Sequence, residues 1–219
     1  MKTYSDLDIA QTIAEEVIDL LNPAFVNLHI AGSVRRGKAK VSDIELVGIP
    51  LSTTLFKQRT EKLLKAGVII KHDYQPYRPE KSYRWGDTYR GFDYRGMLIE
   101  VFCAKPDNLG YIYWLRTGPG DGNTTVMTLL SRKQSPIRMA DGAVWHVKYE
   151  GEDYRKLNQL RVPDELIFFE LLNIPFVSAQ RRNKEYYNWH MDNSAWQPAP
   201  LELIERLYVP DEHTQLRLF

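Results

Sequence analysis

Two short stretches carry the side chains best suited to chemistry: Ala31-Gly32-Ser33-Val34-Arg35-Arg36-Gly37 and Ser42-Asp43-Ile44-Glu45-Leu46-Val47. A strand from Phe25 to Ala31 is expected to run into the Gly-Ser turn, with a short helix opening directly behind it. Backbone N–H groups at such a helix start point at whatever sits in the turn, and the peptide dipoles favour an anion there. Ser33 adds a hydroxyl donor, and Arg35 and Arg36 add positive charge. Asp43 and Glu45 stand two apart in an apolar run, so on a strand both carboxylates leave the same face. An anion-binding turn beside a carboxylate pair suits a metal-bound nucleoside triphosphate. Mg²⁺ takes hard oxygen ligands, usually one or two carboxylates plus substrate phosphates. The plainer alternative is a Gly-Ser turn before a helix, with two exposed strand carboxylates.

These side chains need elements to hold them. Leu7, Ala10, Ile13, Ala14, Val17 and Leu21 recur at helical spacing, with Ser5 and Asp8 as a capping box and Asn22-Pro23 as the stop. The carboxylate strand is expected to run through Gly48, with Pro50 closing it. A second amphipathic helix is predicted over 54–66, stopped by Gly67, followed by a strand at 68–70 and a polar loop over 72–82. A hairpin is then expected, with 89–94 as one arm, Arg95-Gly96 as the turn and 97–103 as the other arm. In that second arm Glu100 is a lone charge among Leu98, Ile99, Val101 and Phe102. Burying an unpaired carboxylate is costly, so Glu100 must find a cation or be neutralised. A nearby arginine is the simplest partner.

Further along, the spacing predicts a helix over 124–133 and a hairpin of 137–139 and 144–147 around Asp141-Gly142. A polar loop is expected over 150–161, a helix from Pro163-Asp164-Glu165 to Leu172, and a last short helix over 201–208. Tyr186, Tyr187, Trp189 and Trp196 interleave with Arg181, Arg182 and Lys184. Aromatics among basic residues either stack bases and hold phosphates or pack back on the domain.

Composition narrows the function classes. A chain of 219 residues makes one compact domain or two small ones. With 43% apolar and 26% charged residues it has the make-up of a soluble globular protein. No apolar run reaches the roughly 18 residues of a membrane span, and the N-terminus lacks the apolar core of a signal peptide. The single cysteine, Cys103, excludes an internal disulfide and fits a reducing cytosol. A cytoplasmic location, or one at a nucleoid or viral replication site, is expected. The histidines show no His-x-x-x-His spacing and the cysteine is alone, so no zinc site is expected. A net charge of +1 argues against a surface that is basic throughout. Local basic clusters remain at Arg35/Arg36/Lys38/Lys40, Arg84/Arg90/Arg95 and Arg181/Arg182/Lys184. Only the first, beside the carboxylates, is assigned a function here; the others read as solvated faces.

The Gly-Ser…Asp-x-Glu arrangement resembles the signature of the nucleotidyltransferase superfamily, and the Arg-Arg-Gly after the serine narrows the resemblance to family X DNA polymerases. The resemblance implies an α+β fold: a polymerase beta-like palm over 1–112 with a mixed or antiparallel sheet and helices, and a small α/β thumb over 113–219. It makes Glu100 the third metal ligand, completing a catalytic triad with Asp43 and Glu45. It also implies two Mg²⁺ ions, with Mn²⁺ as a substitute. Polymerases of this family usually carry aspartate at two of these positions. Glutamates occur in other nucleotidyltransferases, so a small-molecule or protein acceptor is the alternative.

The stretch 104–119 resembles the family's palm-to-thumb segment, with Thr117-Gly118 seventeen residues after Glu100. Thr117 and Gly118 are implied in nucleotide binding with Gly32, Ser33 and Arg36, and Asn123 by its offset against the incoming base. Leu115-Arg116 stands where the family has an aromatic pair that screens the sugar, which puts sugar discrimination in doubt. Gly118-Pro119 falls at a turn that is cis in the family, and a cis bond is expected. Asn173-Ile174-Pro175-Phe176-Val177 resembles the family's thumb ending, and from Asn183 onward the resemblance stops. The implied partners are a nucleoside triphosphate and a DNA primer-template or gapped DNA, with no membrane, and a monomer is expected. No helix-hairpin-helix pattern is visible, so a weak grip on gapped DNA and no lyase activity are expected.

Overall fold

The computed structural model describes residues 4–73 and 84–209. The chain is mixed α+β and divides into two compact units, residues 1–105 and 106–219, each with its own apolar core. The division falls before the expected 112/113 boundary. Tyr111 and Trp114, on the helix that boundary would cut, belong to the second core.

In the first unit, helix α1 (Leu7–Leu21) buries Ala10, Ile13, Ala14, Val17 and Leu21 along one stripe, as its spacing predicts. The capping box does not form. Asp6 is the N-cap without a side-chain bond, and Ser5–Asp6 instead make a short strand, β1, paired with β3 (Lys40–Val41). An exposed ion pair from Lys40 to Asp6, at 2.6 Å, sits on that pairing. A 3₁₀ turn, Asn22–Ala24, takes up Pro23 at the predicted stop.

Strand β2 (Phe25–Ile30) leads into the one-turn helix α2 (Gly32–Arg35), followed by β4 (Asp43–Pro50). Helix α3 (Thr53–Lys65) begins at Ser52, whose hydroxyl accepts the Leu55 N–H at 3.1 Å. The strand expected at 68–70 is shorter and later, β5 (Ile70–Lys71). Of the loop expected over 72–82, residues 74–82 lie outside the described residues. The hairpin β6 (Tyr89–Tyr94) and β7 (Met97–Cys103) has the expected arms, joined by Arg95 and Gly96, both at positive φ.

The sheet order is β2-β4-β7-β6-β5. The central pair, β4 with β7, is parallel, and the other pairings are antiparallel. One face carries Ile44, Leu46, Phe92, Ile99 and Val101 into the core beneath α1 and α3. The opposite face carries the polar residues of β4 and β7.

The second unit holds α4 (Leu109–Thr117), α5 (Gly120–Arg132), a three-stranded antiparallel sheet of β8 (Ile137–Ala140), β9 (Ala143–Glu150) and β10 (Asp153–Leu160), then α6 (Glu165–Leu172), α7 (Lys184–Met191) and α8 (Leu201–Arg206). Asp141 and Gly142 turn the β8–β9 hairpin at positive φ, as expected. The loop expected over 150–161 is instead the strand β10. It lies at the edge of its sheet with a bulge between Lys156 and Asn158, so no apolar alternation marks it in the sequence.

The aromatic tail divides. Tyr187 and Trp196 are core residues, with Trp114 Nε1 donating to the Tyr187 hydroxyl at 2.9 Å, whereas Trp189 is 80% exposed. Arg182, expected on a solvated face, is instead buried against Glu165 at 2.7 Å. Gly118-Pro119 is cis.

Candidate active site

The parallel register of β4 and β7 gathers the three carboxylates predicted from sequence. Asp43 and Glu45 alternate with the buried Ile44 and Leu46, so both leave the face away from the core. Glu100 is the register partner of Glu45, and in parallel strands such partners share a face. On the other side of β7, Glu100 faces Gly91 of β6, which puts no side chain beside the carboxylate. Ser42 Oγ lies 3.2 Å from an Asp43 carboxylate oxygen.

The Gly-Ser turn closes over the same face. The Ala31 N–H donates to the Glu45 carbonyl at 2.8 Å, tying the turn to β4. Gly32 has φ of +60°, and a Cβ built on it would stand 2.3 Å from Glu45 Oε2. Only glycine permits both that backbone and that approach. The Ser33 hydroxyl is buried with no hydrogen-bond partner among the described residues. An orphaned donor of this kind is what an arriving anion would satisfy. The Arg36 N–H donates to the Gly32 carbonyl at 3.2 Å, and both arginines of the motif are half-buried. His29 of β2 pairs with Val47 and so shares the face of Glu45. Burial, and then the nearby charge of Arg35, hold its imidazole below the ordinary value of 6.5.

Two residues beside Glu100 were not singled out in the sequence. The Tyr89 hydroxyl donates to Glu100 Oε1, and Arg84 Nη1 lies 3.5 Å from the same oxygen. The arginine partner anticipated for a lone strand carboxylate is therefore present. Tyr89 could have been found from the hairpin register, since it pairs with Phe102 one place diagonal to Glu100. Arg84 carried no comparable mark beyond its place in a basic cluster.

The donor set is all oxygen and suits a hard divalent cation. Among the described residues, no three acidic, histidine or cysteine side chains already converge as a metal cage. The carboxylates share a face while Glu100 Oε1 is turned to its tyrosine and arginine. With the orphaned Ser33 hydroxyl and the Gly32 turn pressed on Glu45, the placement fits a metal–phosphate ligand.

The remaining predicted residues lie in the second unit. Thr117 is fully buried at the end of α4, and Gly118 follows with φ of +62°. Asn123 is inside the first turn of α5, which begins four residues earlier than the expected 124. Its amide donates to the Leu115 carbonyl at 2.7 Å, and its Oδ1 is buried without a partner among the described residues. Compared with known protein families and with curated proteins, the chain matches none.

Proposed function

We propose that the chain is a metal-dependent nucleotidyltransferase, and that it acts as a minimal DNA polymerase of the family X type, adding nucleotides to a primer 3′-hydroxyl with release of pyrophosphate. One observation carries this: the parallel β4–β7 register sets Glu100 beside Glu45, on the face shared with Asp43, where the Gly32 turn presses on Glu45. Asp43 and Glu45 would hold two Mg²⁺ ions, and Glu100 the catalytic one. When bound, the metal lowers the pKa of the attacking hydroxyl and neutralises charge developing at the α-phosphate.

The other groups bind and orient. The backbone N–H groups of Gly32 and Ser33, the Ser33 hydroxyl and Arg36 offer donors to the β- and γ-phosphates, and they stabilise the leaving pyrophosphate. Glu100 accepts the proton of the attacking hydroxyl or orients the group that does.

The test is extension of a labelled primer on single-strand, open-template and gapped substrates, with each nucleotide supplied separately. Template-directed addition supports the polymerase. Asp43→Asn is expected to lower extension more than about a thousandfold with an unchanged melting temperature. Retained activity in that variant would sink the assignment. Triphosphate binding without extension on any primer would move the acceptor to a small molecule or protein.

A further inference from the structure

The segment after residue 83 is built to present one arginine to the candidate site. The Gly91 N–H donates to the Arg84 carbonyl at 2.9 Å, and Gly91 is itself the register partner of Glu100. Trp85 and Arg90 form a β-bridge, the Gly86 N–H donates to the Tyr89 carbonyl at 2.8 Å, and Arg90 Nε donates to the Gly86 carbonyl at 3.1 Å. Trp85 Nε1 donates to Glu61 at 2.6 Å, and the Arg90 guanidinium lies 4.4 Å over the Trp85 ring. The stretch 84–90 is thus braced to the sheet and to α3. Its first residue, Arg84, extends over the Tyr89 ring to Glu100 Oε1, and the Tyr89 ring is stacked on Phe102 at 4.6 Å.

We infer that Arg84 is a competitor for the divalent cation, a tethered positive charge on Glu100 Oε1 that the metal must displace before the triad closes. This rests on the reading of Asp43, Glu45 and Glu100 as metal ligands. Three carboxylates on one face repel each other, and a guanidinium relieves that repulsion. A ligand that needs the same oxygen must outcompete the guanidinium, so its apparent affinity falls by the share of the population that Arg84 holds. The Arg84 side chain is 41% exposed and its contact with Glu100 is long, whereas Glu100 is only 12% exposed. A weak, partly solvated pair of this kind releases readily. Tyr89, a neutral donor, positions the carboxylate meanwhile. The device keeps metal occupancy dependent on a second source of binding energy, such as the triphosphate that brings its own oxygens to the ion.

The test is a titration of Mn²⁺ alone into the full chain, without nucleotide, followed by the electron paramagnetic resonance signal of the free ion. Arg84→Gln is expected to tighten Mn²⁺ binding about three- to tenfold, with Arg84→Lys returning it toward the parent value. Arg95→Gln, which breaks an exposed pair with Glu16 at 3.0 Å, is the control and should leave binding unchanged. Unchanged Mn²⁺ affinity in Arg84→Gln, while Asp43→Asn abolishes binding, overturns this inference and spares the metal site. Mn²⁺ binding untouched by Asp43→Asn overturns the metal site itself, and this inference with it. Thermal melting checks that each variant is folded.

Discussion

Glu100 and Glu165 are both glutamates taken largely out of water beside an arginine, one in each unit, and the two pairs are built for different ends. Glu165 and Arg182 meet at 2.7 Å with side chains 7% and 0% exposed, and the guanidinium lies 5.2 Å over the Phe169 ring. Neither partner can leave without stranding a charge in an apolar core. Glu100 meets Arg84 at 3.5 Å, with the arginine reaching in from solvent. The first pair locks α6 to the chain after it. The second is held loosely enough to exchange its cation. Equivalent chemistry thus serves structure in one place and a candidate site in the other, and burial of the cation makes the difference.

The comparison can be broken by mutation. Arg182→Ala should cost about 3–5 kcal/mol of stability, measured by urea unfolding, because it leaves Glu165 uncompensated. Replacing both partners, Arg182→Met with Glu165→Leu, should recover most of that loss. If the single variant unfolds no more easily than the parent, the buried pair is not the lock described. On the site side, Gly32→Ala should cost about 1–3 kcal/mol through its positive φ. It should also lower turnover about a hundredfold by pushing on the Glu45 carboxylate. A variant with parent-like turnover would show that the turn does not position Glu45.

The two units also share a subtler feature. Burial holds His29 in the first unit and His146 in the second below the ordinary 6.5, with Arg35 adding to the effect on His29 and Glu205 opposing it on His146. A lowered folded-state value means that the unfolded chain binds more protons as pH falls through 6.5. Stability from these residues is therefore present above that pH and lost below it. The melting temperature should fall on acidification through this range, and His29→Gln and His146→Gln should each flatten part of the slope. A slope unchanged in both variants would place the titrating groups elsewhere.

Legibility differed between the units for physical reasons. In the first, Asp43-Ile44-Glu45 announces itself because polar residues at period two in an apolar run leave little choice of face. The β6–β7 hairpin is equally plain from its Arg95-Gly96 turn. In the second, β10 is an edge strand with a bulge, and its apolar residues, Tyr154, Leu157 and Leu160, keep no single period of two. The tail around Tyr187 and Trp196 has the composition of a nucleic-acid surface, but both rings are core. An aromatic beside a lysine looks alike in sequence whether it faces solvent or a partner helix.

The residues 31–47 and 97–103 by themselves determined the strands, the glycine turn and the face from which Asp43 and Glu45 project, since each follows from local periodicity and backbone sterics. Only the tertiary structure decided that Glu100 stands beside Glu45, because a parallel register is set by packing between segments more than fifty residues apart. It alone decided which arginine is a lock and which is a visitor. Burial is a property of the assembled core, and neither Arg84 nor Arg182 carries it in its own sequence neighbourhood.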